Sequence, residues 1–191
     1  GSPEFKDEVA KLYDRKVEHR NILQTNGCTG ANLNALMAVV RPGDHVIAEW
    51  PTYAPLYEIP RTLGAEVEYW QIHEELGWMP DIDELRELVR PNTRLICINN
   101  ASNPVGAVLD AKMLEQIAEI ADSVGAYVLC DEVYLPLENT EGFKSMTDVY
   151  DRAIVTNSVS KTYSVPAARC GWVIADDEVS DAIRTYRDYT M

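Results

Sequence analysis

The stretch RLICINNASNPVG, residues 94–106, joins an apolar run to a polar cluster. Its first half is a short aliphatic run, which is typical of a buried strand. Its second half combines asparagine, serine, proline and glycine, the residues that favour turns and loops. In α/β proteins, ligands bind beyond the carboxyl ends of such strands. The stretch therefore predicts a buried strand that ends in a loop suited to ligand binding.

Six other short apolar runs predict further strands, and most of them are separated by segments with helical periodicity. The seven predicted strands are residues 21–25, 45–50, 65–72, 94–99, 126–130, 153–157 and 170–175. The predicted helices between them are residues 31–40, 53–64, 81–91 and 110–125. Strands that alternate with helices form parallel sheets covered on both faces. The sequence thus predicts an α/β fold, a three-layer sandwich around a seven-stranded, mostly parallel sheet.

The composition limits the classes of partner. The chain has 191 residues, of which 46% are hydrophobic and 25% charged, as is usual for a globular protein. Its formal net charge of −14 argues against nucleic acid and anionic membranes as partners. The four cysteines form no CxxC pair, and the sequence shows no signal peptide and no run long enough to span a bilayer. We therefore expect a cytoplasmic protein that binds neither nucleic acid nor membrane.

Polar clusters follow five of the predicted strands. They are TNGCTG (25–30), PTY (51–53), NNASNPVG (99–106), DEVY (131–134) and SVSK (158–161). Because the carboxyl ends of parallel strands meet at one edge of a sheet, we expect these loops to converge. The last cluster ends in Lys161, which could bond covalently to a ligand, and Arg169 follows eight residues later and could hold the ligand's anionic end. An isolated lysine is usually a solvated surface residue, so its assignment depends on the other four loops.

Taken together and in this order, the clusters resemble the fold-type I enzymes that depend on pyridoxal 5′-phosphate, in particular the class I/II aminotransferases. The family pattern has an asparagine beside a Pro-Thr-Gly turn, then D-E-x-Y, then S-x-S-K with an arginine eight residues on. Here these are NPVG (103–106), DEVY (131–134), SVSK (158–161) and Arg169, with Val105 in place of the threonine. The resemblance covers essentially the whole chain.

The resemblance implies a role for each residue around the cofactor ring. Lys161 matches the lysine that forms an aldimine with the cofactor's aldehyde and later moves the substrate's Cα proton. Asp131 matches the carboxylate that pairs with the pyridine nitrogen and keeps it protonated. Tyr134 and Asn103 match the pair that hydrogen-bonds the phenolic oxygen, and Tyr53 matches the aromatic residue stacked on the ring. Alone, Asp131 would by default be a strand-end residue that caps a turn, and Tyr53 would more often be a packing residue. Tyr134 and Asn103 could each be a loop residue that satisfies its own backbone.

The resemblance also implies how the cofactor's phosphate is held. The backbone N–H groups of Cys28 and Thr29 would open a helix and supply unpaired donors at its positive end. Ser158 would add a hydroxyl, with Ser160 as a weaker candidate, and Arg169 would add a planar bidentate fork. By itself, a glycine-bounded turn before a helix is more often only a turn.

The family has parts beyond the residues of this chain. An N-terminal arm would precede Gly1, and a smaller C-terminal domain, with the arginine that grips the substrate's α-carboxylate, would follow Met191. We therefore expect residues 1–191 to be the pyridoxal-phosphate-binding large domain without those two parts. The resemblance implies a homodimer for the full-length protein.

The implied function is transfer of an amino group between an L-amino acid and a 2-oxo acid. The same pocket in the family also supports decarboxylation, β-elimination by a β-lyase and cyclising dehydration, and the choice depends on substrate contacts. A domain that binds the cofactor without turnover is a further alternative. A NAD-binding oxidoreductase is a remote one, because NGCTGAN (26–32) lacks the G-x-G-x-x-G spacing.

Overall fold

The computed structural model describes residues 1–134 and 143–190, which form one mixed β-sheet with helices on both faces. The strands are β1 (Ile22–Asn26), β2 (His45–Trp50), β3 (Glu66–His73), β4 (Met79–Pro80), β5 (Thr93–Asn99), β6 (Tyr127–Asp131), β7 (Ala153–Ser158) and β8 (Cys170–Ile174). The helices are α1 (Pro3–Ala10), α2 (Gly27–Val39), α3 (Pro55–Thr62), α4 (Ile82–Leu88), α5 (Ala111–Val124), α6 (Met146–Val149) and α7 (Asp177–Arg184). None of the helices in these described ranges is long and apolar enough to cross a membrane.

All seven predicted strands are present, with ends that differ by one or two residues, but the strand count of seven was wrong. An eighth strand, β4, pairs antiparallel with the end of β3. The chain reverses between them at Gly77, which ends a short 3-10 turn with φ +71°, a conformation that glycine adopts without strain. A two-residue strand has no periodicity, so its hydrophobic pattern could not reveal it.

The order of the strands is β1-β8-β7-β6-β5-β2-β3-β4. The pairs β2–β3, β2–β5, β5–β6 and β6–β7 are parallel, whereas β8 runs antiparallel to both of its neighbours, β1 and β7. The carboxyl ends of β1, β2, β5, β6 and β7 therefore share one edge, here called the carboxyl edge. Because β8 runs the other way, the residues that precede it arrive at that same edge. This topology brings the five polar loops and Arg169 together.

The two faces of the sheet carry separate apolar cores. Alternate residues of β5 show the division, since Ile96 and Ile98 belong to one core and Leu95 and Cys97 to the other. The first core includes apolar residues of α1, α4, α5 and α6, and the second includes residues of α2, α3 and α7. Every strand in the centre of the sheet is thus covered on both sides, and the predicted three-layer α/β architecture is confirmed.

Side-chain caps account for the starts of two of the four predicted helices, α4 and α5. The side chain of Asp81 accepts a hydrogen bond from the first turn of α4, and that of Asp110 does so for α5, at 2.8 Å each. Gly125 ends α5 with φ +69°. Helix α2 begins at Gly27, four residues before the start at residue 31 that the apolar pattern predicts, and in line with the family resemblance, which implied that Cys28 and Thr29 open a helix. Helices α6 and α7 were not predicted. The early start of α2 matters because it places Cys28 and Thr29 in the first helical turn.

Candidate active site

A pocket of about 230 Å³ lies at the carboxyl edge of the sheet. It is lined by all ten residues that the sequence pattern singled out, namely Cys28, Thr29, Tyr53, Asn103, Asp131, Tyr134, Ser158, Ser160, Lys161 and Arg169. Asn99, Val133 and Pro166 line it as well. Residues from five loops, separated by up to 141 positions in the sequence, therefore surround one cavity.

One end of the pocket is built to receive an anion. Within the described part of the chain, the N-cap residue Asn26 makes no side-chain hydrogen bond to α2, so the amides of Cys28 and Thr29 remain available to a ligand. The positive end of the helix dipole favours negative charge at the same point. The guanidinium of Arg169 lies beside this helix start, and its Nη1 donates to the carbonyl of Pro166 at 2.9 Å.

Two glycines allow the arginine to reach that position. Gly27 has φ +69°, and a Cβ built on it would lie 2.3 Å from Nη2 of Arg169. A Cβ on Gly171 would lie 2.5 Å from the carbonyl carbon of Gly27 and 2.8 Å from the carbonyl oxygen of Asn157. A side chain at Gly171 would collide with backbone atoms, and one at Gly27 would displace the guanidinium from its present position. The sequence patterns did not single out these two glycines. The requirement for glycine at these two positions becomes visible only in the folded structure, where α2 and β8 meet.

Ser158 lies at the same end of the pocket and is fully buried. Its Oγ accepts a hydrogen bond from the amide of Ser160 at 3.2 Å, which leaves the O–H of Ser158 able to donate to a ligand. Nearby, Oγ1 of Thr29 lies 3.4 Å from the hydroxyl of Tyr53. The anion-binding end thus combines a cation, backbone amides and hydroxyl groups.

Asp131 supplies a buried carboxylate to the pocket, with 1% of its surface exposed. Its Oδ2 accepts a hydrogen bond from Nδ2 of Asn32 at 2.7 Å, and its Oδ1 accepts from Sγ of Cys28 at 3.3 Å and from the amide of Val133 at 3.1 Å. Burial raises the pKa of this carboxyl group, while the three hydrogen bonds oppose the rise. The carboxylate is held in place by groups from α2 and from its own loop.

Two asparagines that the sequence analysis did not identify organise this end of the pocket. Asn32 lies one helical turn after Cys28, so both side chains meet Asp131. The side chain of Asn99 donates to the backbone carbonyl of Asp131 at 2.8 Å and accepts from the amide of Asn103 at 2.7 Å. Asn99 therefore joins the loop after β5 to the end of β6. The one available signal for Asn32 was a polar residue inside the apolar helix sequence ANLNALMAVV (31–40).

Lys161 is exposed at the mouth of the pocket, on the loop that follows β7. Its Nζ lies 5.9 Å from the centre of the Tyr134 ring. Chemically, the pocket offers an amine for covalent attachment, a cation with helix amides for an anionic group, and a buried carboxylate for a protonated nitrogen.

Comparison with known proteins agrees with this chemistry. The chain matches the family model for class I and II aminotransferases over residues 1–188. It is 31% identical to the aspartate aminotransferase of Pyrococcus horikoshii, in an alignment that covers 100% of this chain and 50% of that protein. It is also 32% identical to the capreomycidine synthase of Streptomyces vinaceus, over 88% of this chain and 43% of that protein.

A solved structure supports the same relationship. The crystal structure of a PLP-dependent aminotransferase from Streptococcus suis superposes with a TM-score of 0.96 at 56% identity, and the match covers 100% of this chain and 50% of that one. The chain thus spans about half the length of the relatives that it matches. Since the family model accounts for all but the last three residues, this chain belongs to the class I and II aminotransferase family.

Proposed function

We propose that this chain supplies the pyridoxal 5′-phosphate site of an aminotransferase that moves an amino group between an L-amino acid and a 2-oxo acid. The observation that carries the proposal is the convergence of Lys161, Asp131 and Arg169 on one pocket, from the end of β6 and from the connection between β7 and β8. A primary amine, a buried carboxylate and a guanidinium at a helix start are the groups that this cofactor's aldehyde, ring nitrogen and phosphate require.

The fit to the phosphate is the most specific part of the proposal. Arg169 lies against the start of α2 only because Gly27 has no side chain, since a Cβ there would collide with the guanidinium. Arg169, the amides of Cys28 and Thr29, and the hydroxyl of Ser158 would together hold a phosphate dianion. Ser160 would support this set through its contact with Ser158.

Other pocket residues would orient the ring. Asn103 and Tyr134 would donate hydrogen bonds from their side chains to its phenolic oxygen. The backbone N–H of Asn103 donates to Oδ1 of Asn99 at 2.7 Å, which fixes the backbone from which that side chain projects. Tyr53 would stack on the ring face, with its hydroxyl near Thr29. These contacts would hold the cofactor in one orientation relative to Lys161.

When bound, the cofactor supplies an electron sink that stabilises negative charge at the substrate's Cα atom. Lys161 would attach the cofactor covalently and, once released, would move the proton at that Cα. Asp131 would keep the ring nitrogen protonated, which its position as a buried hydrogen-bonded carboxylate favours. The protein's part is to bind and orient the cofactor and to transfer this proton.

A second candidate is a different reaction on the same cofactor, because one relative carries a synthase name rather than an aminotransferase name. Decarboxylation, β-elimination and cyclising dehydration would use Lys161 and Asp131 in the same way and would differ in their substrate contacts. The NAD-binding alternative is not retained, since the chain belongs to the aminotransferase family.

We further propose that residues 1–191 act as the cofactor-binding large domain, since the chain corresponds to about half of each relative. A homodimer and a cytoplasmic location are also part of this proposal, and both rest on the family resemblance.

The assignment of Lys161 is tested by reductive labelling. Protein supplied with pyridoxal 5′-phosphate should turn yellow, and borohydride should fix the cofactor to Lys161, as peptide mapping will show. Lys161→Ala should take up no label and keep its fold by circular dichroism, because this exposed loop residue adds little to the core. Lys144→Ala is the control, since Lys144 pairs with Asp14 and is not part of the pocket lining. Label on another lysine, or none at saturating cofactor, would refute the assignment.

A further inference from the structure

Asn32 is a fully buried residue whose side chain joins α2 to the carboxylate of the pocket. None of its surface is exposed, and its Nδ2 donates to Oδ2 of Asp131 at 2.7 Å. A buried amide is costly unless it is hydrogen-bonded, so this contact accounts for the polar residue at this point of an otherwise apolar helix.

The orientation of the amide follows from its two partners. An ionised carboxylate can only accept hydrogen bonds, so the NH₂ group of Asn32 must face Asp131. Its Oδ1 then faces β7, where the hydroxyl of Thr156 donates to it at 2.6 Å. Thr156 is itself fully buried at 0% exposure. The three residues form a hydrogen-bonded chain from Thr156 through Asn32 to Asp131, and Nδ2 of Asn32 also lies 4.0 Å from Sγ of Cys28.

The hydrogen bonds to Asp131 are unequally shared between its two oxygens. Oδ1 accepts from Cys28 and from the amide of Val133, whereas Oδ2 accepts from Asn32. Each carboxylate oxygen accommodates about two donors. With respect to the residues that the structure describes, Oδ2 therefore keeps room for one more hydrogen bond, and Asp131 lines the pocket. The oxygen available to a ligand is the one that Asn32 holds.

We propose that Asn32 is a positioning residue that, oriented by Thr156, holds Oδ2 of Asp131 as the acceptor for the protonated ring nitrogen of the cofactor. This inference rests on the proposed function. A neutral amide suits the task, because it fixes the carboxylate without cancelling its charge. A lysine or arginine at the same place would neutralise Asp131 and compete with the ring nitrogen.

The test compares two ligands that differ only at the ring nitrogen. Pyridoxal 5′-phosphate and its benzene analogue, in which a C–H replaces that nitrogen, are titrated by calorimetry into wild-type protein and Asn32→Leu. A hydrogen bond to a charged group contributes enough that its loss should weaken cofactor binding about 10- to 100-fold. Binding of the analogue should change by less than about 3-fold, since it has no N–H to present to Asp131.

Asn34→Leu is the matched control, because Asn34 is a buried asparagine of the same helix whose side chain contacts Thr190 and not Asp131. It should leave the preference for the cofactor over the analogue unchanged. Urea unfolding without cofactor verifies that each variant is folded. If Asn32→Leu does not fold, Thr156→Val is tested in its place. It should also reduce the preference for pyridoxal 5′-phosphate over the benzene analogue.

The outcomes separate this inference from the proposed function. Wild-type protein that binds no pyridoxal 5′-phosphate would overturn the proposed function. Wild-type protein that prefers the cofactor over the analogue, together with a folded Asn32→Leu variant that keeps the same preference, would overturn only the role of Asn32. An equal loss of affinity for both ligands would show a purely structural role and would also overturn it.

Discussion

Gly27 and Arg169 contact each other through both backbone and side chain. The amide of Gly27 donates to the carbonyl of Arg169 at 3.0 Å, and the guanidinium covers the face of Gly27 where a side chain would be, with Nη2 only 2.3 Å from the ideal Cβ position. The two residues adopt left-handed backbone conformations, with φ +69° and +47°. The first residue of α2 and the residue that precedes β8 therefore hold each other in place.

Gly27→Ala should weaken cofactor binding by about tenfold or more, because the added methyl group displaces the guanidinium and strains a left-handed backbone. Titration of the protein with pyridoxal 5′-phosphate, followed by absorbance, measures the effect. Gly30→Ala is the control on the same helix, since its Cβ would meet nothing nearer than 3.5 Å. That variant should bind normally and gain up to about 1 kcal/mol of stability. Normal binding by Gly27→Ala would contradict the proposed arrangement.

Arg169→Lys should lower affinity for the phosphorylated cofactor by roughly tenfold, although the charge is kept. Lysine replaces a planar fork of donors with a single flexible ammonium group, so the bidentate contact to phosphate is lost. The dissociation constant of pyridoxal, which lacks the phosphate, should stay the same. Equal affinity of wild type and variant for pyridoxal 5′-phosphate would show that the phosphate is bound elsewhere.

The stability of the protein should depend on pH through Glu49, a carboxyl group with 1% exposure. Burial raises its pKa to about 7, and a hydrogen bond from the amide of Asn99 partly opposes that rise. The folded state thus favours the protonated form of Glu49. The stability that protonated Glu49 contributes is fully present below the unfolded-state pKa, near 4.5. This contribution is lost as the pH rises to about 7 and amounts to roughly 3 kcal/mol.

Glu49→Gln removes this titration. The free energy of unfolding of the variant minus that of wild type should therefore be larger at pH 8 than at pH 5, by up to roughly 3 kcal/mol. Urea unfolding of both proteins at the two pH values gives the difference, and subtraction removes contributions from other groups. Glu115→Gln on the exposed side of α5 serves as the control and should show no comparable change. A difference between Glu49→Gln and wild type that is independent of pH would contradict the prediction.

The 191-residue chain should fold and bind the cofactor while turning over amino acids slowly. Both faces of its sheet are covered by its own helices, so the two cores can close. Orientation of a substrate can supply roughly 7–11 kcal/mol of a barrier, and the groups described in the pocket are those proposed to bind the cofactor rather than a substrate. Absorbance titration measures binding, and single-turnover conversion of the bound cofactor to its amine form by a panel of amino acids measures activity. Rapid conversion would show that the substrate contacts lie within these residues.

The sequence pattern predicted the elements whose signal is local. Apolar runs such as RLICIN (94–99) identified the central strands, and polar clusters after them identified the pocket loops. Strand β4 was missed because it consists of two residues and depends on the reversal at Gly77. The strand direction of β8 was also not predicted, since hydrophobic periodicity is the same for parallel and antiparallel neighbours.

The pocket residues that were missed act through contacts between distant elements. Asn32 on α2 reaches Asp131 on β6 and Thr156 on β7, and a single helix sequence gives no sign of those partners. Gly27 and Gly171 are needed because atoms of distant residues lie where a side chain would be, and only the packed structure reveals this. The residues identified in advance were those with a chemical role recognisable from their neighbours in sequence.

The antiparallel direction of β8 has a consequence for the size of molecule that the pocket can accept. Because β7 and β8 are adjacent and opposed, Lys161 and Arg169 lie on one short connection between them. That connection is closed by the bond from the amide of Val159 to the carbonyl of Cys170, at 3.0 Å, and braced by the bond from Val165 to Val159, at 3.2 Å. These two bonds hold the backbone that carries Lys161 and Arg169, and so limit how far apart the amine and the guanidinium can be. A molecule bound at both ends must match that span, so insertions or deletions within this loop should alter ligand choice before they alter the fold.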